Sequence, residues 1–584
     1  MSMKRSLLYL LFTVLLILLS AAGGFAQNLS DVFDPIYDDL GDWELAGFID
    51  PLPQMRPYAA QDVVRLLNDA LEGAQPVAGS VPPAILQRMA YYKDALLNPV
   101  APLRFIGFTQ QRLARGDENQ YFSVTGAAGQ IIWPIADLVH LSASIYPNLV
   151  DRADGHALPA GQRHTRDWIN DGANITLGDR TLWALSQVTS HLTIGSPSLH
   201  AYASITRSSF GPFDHDGIIF SPQSPFGIRF GYVWRTPTFE YNFTYRPITA
   251  TTNTGAGRGS GKHTVMHSVN ARILPWLELG FWETVVYGER FEPGYFVPVS
   301  SLFLSQGIVG FSDNSLLGVS ATFHPGLGLR LPFQVFADDV DFNEVVKFNF
   351  NTKLKLSLQT GIQWAPGAVN IPVLRRVAFD YTAVMPYMYS HRNPDTPGQT
   401  EAWLTNMNYT NYTHAGSNMA TGLPPNSDRF RLAVDAEPLT GLRLGLSLEQ
   451  HRHGNASTGQ DIDPATATGT IFDPGYGGSE GKTATFQPPY TDPTGQPYTR
   501  FLTQDILEYT RQLGITARWD LDLTSPPWQK SGASAKAPDS DFKPRLPQFT
   551  SGIGYTLESI TNAGLISGES RLSHFFVFDL EVRW

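Results

Sequence analysis

Hydrophobic and polar residues alternate along residues 575–584. One face of this stretch is apolar without interruption, and the other becomes charged. Successive side chains of a strand point to opposite faces, so the pattern predicts a strand with one apolar side. A transmembrane barrel needs such a strand of about 10 residues to close its sheet, because lipid does not tolerate an open edge. The apolar face, which we expect the barrel-assembly machinery to bind, consists of Phe576, Phe578, Leu580, Val582 and Trp584.

The same alternation recurs from residue 104 onward, in short runs separated by Gly, Pro, Asn and Asp. Such runs predict β-strands. From strands of about 10 residues we estimate about 16 to 18 strands, an even number if both barrel ends lie on one side of the membrane. Clear runs are residues 121–132, 138–146, 181–192, 226–233, 239–245, 267–273, 277–287, 345–358, 376–385, 430–436, 442–448, 515–523 and 553–559.

Residues 34–98 show helical periodicity instead. The spacing predicts helices over residues 36–46, 57–71 and 83–97, the second starting at Pro57. About 65 residues of helix bury only a small core, so we expect this region to pack against something larger. The predicted fold class is an all-β transmembrane barrel of antiparallel strands with a small N-terminal α-helical periplasmic region. The predicted divisions are a signal peptide at 1–26, the helical region at 27–100 and the barrel at 101–584.

The N-terminus has the pattern of a secretory signal. Lys4 and Arg5 precede an apolar run over residues 7–19, and small residues at positions 24 and 26 suit cleavage after Ala26. No later apolar run reaches the roughly 18 residues of a membrane helix, which excludes a helical membrane protein. We therefore predict that the protein lies in the bacterial outer membrane and contacts its lipid.

Composition narrows the chemistry. The chain has 0 cysteines, which excludes disulfides, thiolate metal sites and cysteine nucleophiles. The formal charge of -11 becomes -13 once the two basic residues of the signal are removed, so we expect no nucleic-acid partner. Aromatic residues make up 12% of the chain, which suits the aromatic girdles of barrels. Composition alone also allows a periplasmic or secreted all-β enzyme.

Catalytic and metal-binding motifs are weak. The sequence contains no Gly-x-Ser-x-Gly elbow, no His-Glu-x-x-His and no phosphate-binding Gly-rich loop, so we predict neither an enzyme nor a cofactor. An acidic cluster could hold Ca²⁺, but the spacing of a calcium loop is missing, and a polar turn or strand end is favoured. Two histidines are interpreted as a solvated cluster near a loop rather than a metal pair. These clusters are Asp338, Asp339, Asp341 and Glu344, and His451 and His453.

Residues 204–226 are unlike an ordinary hairpin. Their Gly, Pro, Asp and His content predicts a loop folded in between strands. Aromatic rings beside polar groups could form a saccharide platform, and a loop that merely narrows a pore explains the same residues. The candidate ligand-binding residues, chosen as interior or mouth positions, are Arg207, Phe210, Phe213, Asp214, His215, Trp282 and Tyr287. We expect the long loops at residues 454–500 and 525–547 on the extracellular side, where partner-facing chemistry would lie.

An ordered series of motifs resembles the capsule assembly Wzi family of outer-membrane proteins. The closest match is residues 267–272 with 277–288, and the others are 37–49, 55–58, 207–226, 313–318, 336–339, 380–382 and 386–389. The resemblance implies a large barrel with a small helical bundle at its periplasmic end. It also implies noncatalytic binding or organisation of surface polysaccharide.

Other functions stay open at this point. Barrel size alone suggests a porin or diffusion channel of the outer membrane. An outer-membrane enzyme would need Ser, His or carboxylate groups that converge in the mouth. The helical start also has a faint likeness to the surface-layer homology repeats that attach some porins to the cell wall, although a single unit is visible.

Overall fold

The computed structural model describes residues 29–73, 81–97, 103–117, 119–136, 138–151, 156–162, 174–177, 180–252, 255, 257–310, 313–339, 355–369, 371, 373–386, 388–391, 407–454, 501–502, 506–522 and 548–583. Within them, a small helical region precedes a closed antiparallel β-barrel of 18 strands. The predicted fold class is therefore confirmed. The predicted signal peptide and Trp584 lie outside the described residues. No described helix is long and apolar enough to cross a membrane.

The barrel strands pair with their neighbours in chain order. They are β1 Leu103–Arg115, β2 Gln120–Ala136, β3 Val139–Asp151, β4 Arg180–Ser196, β5 Leu199–Thr206, β6 Gly227–Thr236, β7 Phe239–Thr252, β8 Gly259–Leu274, β9 Leu277–Gly288, β10 Asn314–Gly326, β11 Leu329–Asp339, β12 Lys355–Trp364, β13 Leu374–Val384, β14 Ser427–Leu439, β15 Leu442–Gly454, β16 Leu507–Asp522, β17 Gln548–Thr561 and β18 Ser570–Arg583. The predicted runs did not include β1, β5, β10 and β11. Gly318 and Pro332 interrupt the alternation of β10 and β11. Residues 345–354 of the predicted run 345–358 lie outside the described residues.

Short strands accompany the barrel. Asn174–Leu177 pairs with β4 and Met407–Asn408 with β7. Met55–Arg56 pairs with Ser209–Phe210, and Thr413–His414 pairs with Ser417–Asn418.

The first and last barrel strands close the sheet. β1 pairs with β18 from Ile106 opposite Arg583 to Arg115 opposite His574, which confirms the predicted closing strand. Alternation along β18 is as expected at Phe576, which is 45% exposed, and Phe575, which is 7% exposed, whereas Val582 of the predicted apolar face is 0% exposed. The outer face of the barrel carries exposed apolar and aromatic side chains, as a lipid-facing wall requires.

The two ends of the barrel are distinguished by its termini. We call the end where β1 begins and β18 ends the helical end, and the other the distal end. Asp522 and Arg583 both pair with Gln548, so the connection over residues 523–547 leaves from the helical end. The connection after β15 leaves from the distal end. The prediction that both long loops lie on the extracellular side is therefore wrong. Each strand runs once along the barrel wall from one end to the other, so the number of strands before a loop determines the end at which the loop lies, and the composition of the loop does not.

The helical region comprises α1 Pro35–Leu45, α2 Ala60–Leu71 and α3 Pro83–Leu97. α3 has its predicted bounds. The sequence pattern predicts a start of α2 at Pro57, and the helix instead starts at Ala60. The residues just before Pro57, Met55–Arg56, are extended and pair with Ser209–Phe210. The predicted division at residue 100 stays a prediction, since residues 98–102 are not described. The region has its own apolar core, formed by Leu29, Ile36, Tyr37, Leu40, Trp43, Ile49, Leu52, Tyr58, Ala60, Val63, Leu66, Leu67, Ala70, Met89, Tyr92 and Leu96.

Carboxylates of α1 hold the helical region against arginines of the inner wall. Asp39 accepts hydrogen bonds from Arg375 at 2.8 Å and Arg443 at 3.0 Å, and Glu44 accepts from Arg330 at 2.7 Å. Burial raises the pKa of the Asp39 carboxyl, but the surrounding guanidinium groups outweigh it and hold this pKa well below its usual range. The helices thus occupy the helical end of the lumen.

Replacing Asp39 with Ala should release the helical region from the barrel. The substitution removes a carboxylate that Arg375 and Arg443 share. Arg375 keeps Asp42 and Glu437, whereas Arg443 loses its partner at 3.0 Å, and breaking a buried pair of this kind costs about 3–5 kcal/mol. We expect a lower thermal midpoint for the helical circular dichroism signal and faster proteolysis of α1 to α3. Asp69→Ala is the matched control, because its half-exposed pair with Arg65 at 3.0 Å contributes at most about 0.5 kcal/mol. If the two substitutions changed the thermal midpoint and the proteolysis rate equally, Asp39 would not be the residue that holds the helical region against the wall.

Candidate functional site

Several described stretches between strands turn into the barrel lumen, and two of them pack together there. Inner segment 1, residues 207–226, joins β5 to β6, and inner segment 2, the described residues 385–386, 388–391 and 407–426, lies between β13 and β14. Residues 156–162, between β3 and β4, also face the lumen, where the Ala160 N–H donates to Glu558 at 2.6 Å. β5 and β6 stop at the pair Thr206 and Gly227, from which segment 1 leaves the wall. Its backbone then meets the helical region, where the Gly211 N–H donates to the Gln54 carbonyl at 3.0 Å. The predicted inward fold of this loop is confirmed.

The inner segments surround an apolar cluster that we call the plug core. Its members come from both segments, from the wall and from Met55, and each is at most 5% exposed. Side chains of this size fill the lumen as a protein core would, at close packing. The plug core consists of Met55, Phe210, Ile218, Ile219, Phe220, Ile248, Met266, Trp282, Val286, Leu316, Phe336, Val384, Met388, Tyr389, Tyr412, Met419, Ala420 and Leu423.

Within the plug core, tyrosines of inner segment 2 donate hydrogen bonds to backbone carbonyls of inner segment 1. The Tyr389 hydroxyl donates to the Ile218 carbonyl at 2.7 Å, and the Tyr412 hydroxyl donates to the Ile219 carbonyl at 3.0 Å. Buried carbonyls without such donors would carry a desolvation cost. These bonds fix the two segments relative to each other.

Asp216 ties both segments to the wall. Its carboxylate accepts from the Ser221 hydroxyl at 2.6 Å, the Thr421 hydroxyl at 2.5 Å and the Arg429 guanidinium at 3.0 Å. Burial raises the pKa of this carboxyl, yet Arg429 and the hydroxyl donors outweigh it, so the pKa of Asp216 lies below its ordinary value. The carboxylate is therefore ionised at neutral pH and fully used in structural bonds.

Asp214 and His215 make the second polar anchor of segment 1. Asp214 accepts from Arg56 of the helical region and from Arg376 of β13, the latter at 2.5 Å. Burial opposes ionisation, but the two guanidinium groups hold the pKa of Asp214 well below its usual range. Burial, followed by Arg431, lowers the pKa of His215 to about 3, and its Nε2 lies 3.5 Å from the Glu449 carboxylate.

The structure places most of the predicted site residues in the packed interior of the lumen rather than on an exposed surface. Phe210 and Trp282 contact each other edge to face, with ring centroids 5.4 Å apart. Arg207 donates to the Ser224 carbonyl, and Phe213 is 2% exposed. Buried rings offer no face on which a sugar could stack. The role of the set in ligand binding stays a prediction, and this geometry favours a structural role.

Tyr287 is the exception in position. It lies five residues after the inward-facing Trp282, so it points to the outer side of the wall, where it packs against Tyr295. The expectation that Tyr287 lies in the interior or the mouth is wrong. Successive side chains of a strand point to opposite faces, so a displacement of one residue along the strand changes an inward position into an outward one.

The other sequence candidates show no site of their own. Asp338 is 3% exposed, while Asp341 and Glu344 lie outside the described residues. His451 lies in β15, with its Nε2 3.2 Å from a Glu449 carboxylate oxygen. Across the described parts of the chain, no group of three or more His, Asp and Glu side chains could hold a metal ion.

A polar cavity of about 300 Å³ lies between the helical region and the wall at the helical end. Arg235 and Glu240 form an ion pair at 3.6 Å in its lining. Sequence reasoning missed this cavity because its two sides are far apart in the chain. Charged residues at inward positions of β6 to β9 were the available signal. Its charged lining residues are Asp50, Arg65, Arg235, Glu240, Arg272 and Glu278.

A disulfide can test the plug geometry, since the chain has 0 cysteines of its own. Met55 and Phe210 are directly opposite in an antiparallel ladder, where Cα atoms lie about 4.5–5.5 Å apart, within the roughly 4.4–6.8 Å that a disulfide spans. We expect the double variant Met55→Cys, Phe210→Cys to cross-link on mild oxidation, shown by a reductant-sensitive gel shift and mass spectrometry. Glu72→Cys with Phe210→Cys is the control that should stay uncross-linked. Cross-linking of the control alone would refute the ladder.

Comparison with known sequences gives no matching family model and no matching curated protein. Among solved structures, the chain is similar to Wzi from Escherichia coli, an outer-membrane protein involved in group 1 capsule assembly and described as a carbohydrate-binding β-barrel. Identity is 12%, the match covers 96% of this chain and 99% of that one, and the TM-score is 0.50.

Other solved structures also match. OprD from Pseudomonas aeruginosa is 7% identical over 83% of this chain and 94% of its own, with a TM-score of 0.40. OccAB4 from Acinetobacter baumannii is 8% identical over 83% and 99%, with a TM-score of 0.37. These scores are too low to bear on function, and the likeness to Wzi at 12% identity concerns the fold. By its fold, the chain is a β-barrel of the outer-membrane type.

Proposed function

We propose that the protein is a sealed barrel of the bacterial outer membrane that binds surface polysaccharide at its distal end and helps to organise it, without catalysis. The observation that carries the proposal is the filled lumen. A solute passing through would have to displace the plug core, the Asp216 bonds and the helical region in turn. A barrel whose lumen is filled by connections between its strands is better suited to binding a ligand at its mouth than to letting a solute diffuse through its centre.

The orientation follows from the same features. The helices and both barrel termini share one end, so we assign the helical end to the periplasm and the distal end to the cell surface. The outward apolar row of β18 would contact lipid and serve the barrel-assembly machinery during insertion. Of its predicted members, Phe576 and Phe578 are 45% and 41% exposed.

Polysaccharide binding should be blocked from the distal end and not from the helical end. Ser567, in the connection between β17 and β18, and Glu72, after α2, are both exposed, and each can be replaced by the chain's sole cysteine. We expect a large polyethylene glycol on Ser567→Cys to reduce pull-down of the host's own surface polysaccharide at least about tenfold, which corresponds to 1.4 kcal/mol. The same adduct on Glu72→Cys should leave binding unchanged.

Two results would count against the proposal. One is a failure of the unlabelled protein to bind the host polysaccharide, together with an unaltered cell coat on deletion of its gene. The other is loss of binding with the Glu72→Cys adduct alone, which would place the ligand at the helical end.

A further inference from the structure

The connection between β9 and β10 lies on the outside of the barrel. This flap, the described residues 289–310 and 313, contains the short 3-10 helix Pro293–Phe296 and the helix α4, Leu302–Val309. Tyr295 and Leu302 of the flap are 0% exposed because they pack on outward-facing residues of β7, β8 and β9. The wall residues beneath the flap include Tyr241, Phe243, Val265, Val285 and Tyr287.

The flap covers two polar side chains on the outer face of the wall. His267 of β8 is directly opposite Glu283 of β9. Glu283 shares its face with Phe281, which is 45% exposed, so both polar residues point away from the lumen. They are nevertheless only 6% and 8% exposed.

The polar pair lies at the height of the apolar band. Glu283 is about six residues from Leu277, where β9 begins at the helical end. In β14, Leu432 is about seven residues from Leu439 at the same end, and it is a 37% exposed outward residue. A carboxylate facing hydrocarbon at this height is costly unless protein groups cover it.

Polar groups of the flap satisfy the pair. Glu283 accepts from the Ser301 hydroxyl at 2.9 Å and from the Leu302 N–H, at the N-terminus of α4 where a negative charge is favourable. The ring nitrogens of His267 lie 3.1 Å from the carbonyl oxygens of Ser300 and Tyr295, and a neutral ring donates its N–H to one of the two. The inner side of the flap is thus polar and bonded to the wall.

The other side of the flap is apolar and exposed. In α4, Leu304 is 70% exposed and Ile308 is 87% exposed. Val299 before the helix is 73% exposed, and Val319 on the adjoining face of β10 is 50% exposed. The apolar side therefore continues the lipid-facing surface of the wall, and its area would be unfavourable in water.

We infer that the flap lies within the hydrocarbon layer of the outer leaflet, with α4 packed against lipid acyl chains and its polar side capping His267 and Glu283. The inference rests on the membrane placement in the proposed function. The occupant is the acyl chain, because the apolar side is continuous with the wall on which acyl chains already lie. The flap thereby widens the barrel's lipid contact on one side.

Spin labels test the inference in the complete chain. A nitroxide on Ile308→Cys, in the otherwise cysteine-free protein reconstituted into phosphatidylcholine vesicles, should collide more often with oxygen than with a water-soluble nickel complex. Phe281→Cys on the lipid-facing wall is the positive control. Ser567→Cys at the distal end should show the opposite preference.

Each outcome is informative. Nickel accessibility at Ile308→Cys with oxygen preference at Phe281→Cys would overturn the flap placement alone. Nickel accessibility at both positions would overturn the membrane placement itself. Dipolar broadening confined to the Ile308→Cys label would show that a second copy, and not lipid, covers α4.

A second set of variants tests the polar attachment. Glu283→Ala removes the acceptor at the start of α4, so we expect a clear increase in the mobility of the Ile308→Cys nitroxide. Glu289→Ala, in the exposed first position of the flap, is the matched control and should leave the spectrum unchanged. An unchanged spectrum for both variants would mean that Glu283 does not hold the flap.

Discussion

The pairing of β1 with β18 is the constraint on which the rest of the structure depends. Each backbone N–H or C=O left without a partner in hydrocarbon costs several kcal/mol, so the sheet must close on itself. Closure from Ile106 opposite Arg583 onward removes both edges. Closing 18 strands also creates a lumen wide enough for an aqueous channel, and the chain has to fill that lumen or conduct through it.

The lumen is filled by two kinds of contact at different depths. At the helical end, carboxylates of α1 meet arginines of the wall, as in the pair of Asp39 with Arg375. Beyond it, the plug core packs side chains from both inner segments, and Asp216 fixes these segments to Arg429. Buried ion pairs gain little net stability after desolvation, and their geometry selects one docked arrangement. Apolar packing therefore provides the free energy that holds the inner segments and the helical region in the lumen, and the ion pairs determine where these parts lie against the wall.

Sequence reasoning reached what local periodicity determines. The closing strand, the bounds of α3 and the inward turn of residues 207–226 follow from alternation, helical spacing and turn composition. Contacts between distant residues could not be predicted this way, and Asp39 and Arg375 are 336 positions apart. The side of the connection over 523–547 depends on the parity of every preceding strand. For the same reason the sequence indicated that Phe210 and Trp282 were interior but not that they would be buried together, and it placed Tyr287 on the wrong face.

The sealed lumen is the central claim, and planar-bilayer recording of the complete chain tests it most directly. The contacts of the plug core, the inner segments and the helical region predict a quiet membrane after insertion, with insertion checked independently by protease protection of the barrel. Stepwise open-channel currents from the unmodified protein, of the size expected for a wide aqueous pore, would contradict the sealed barrel and favour a diffusion channel.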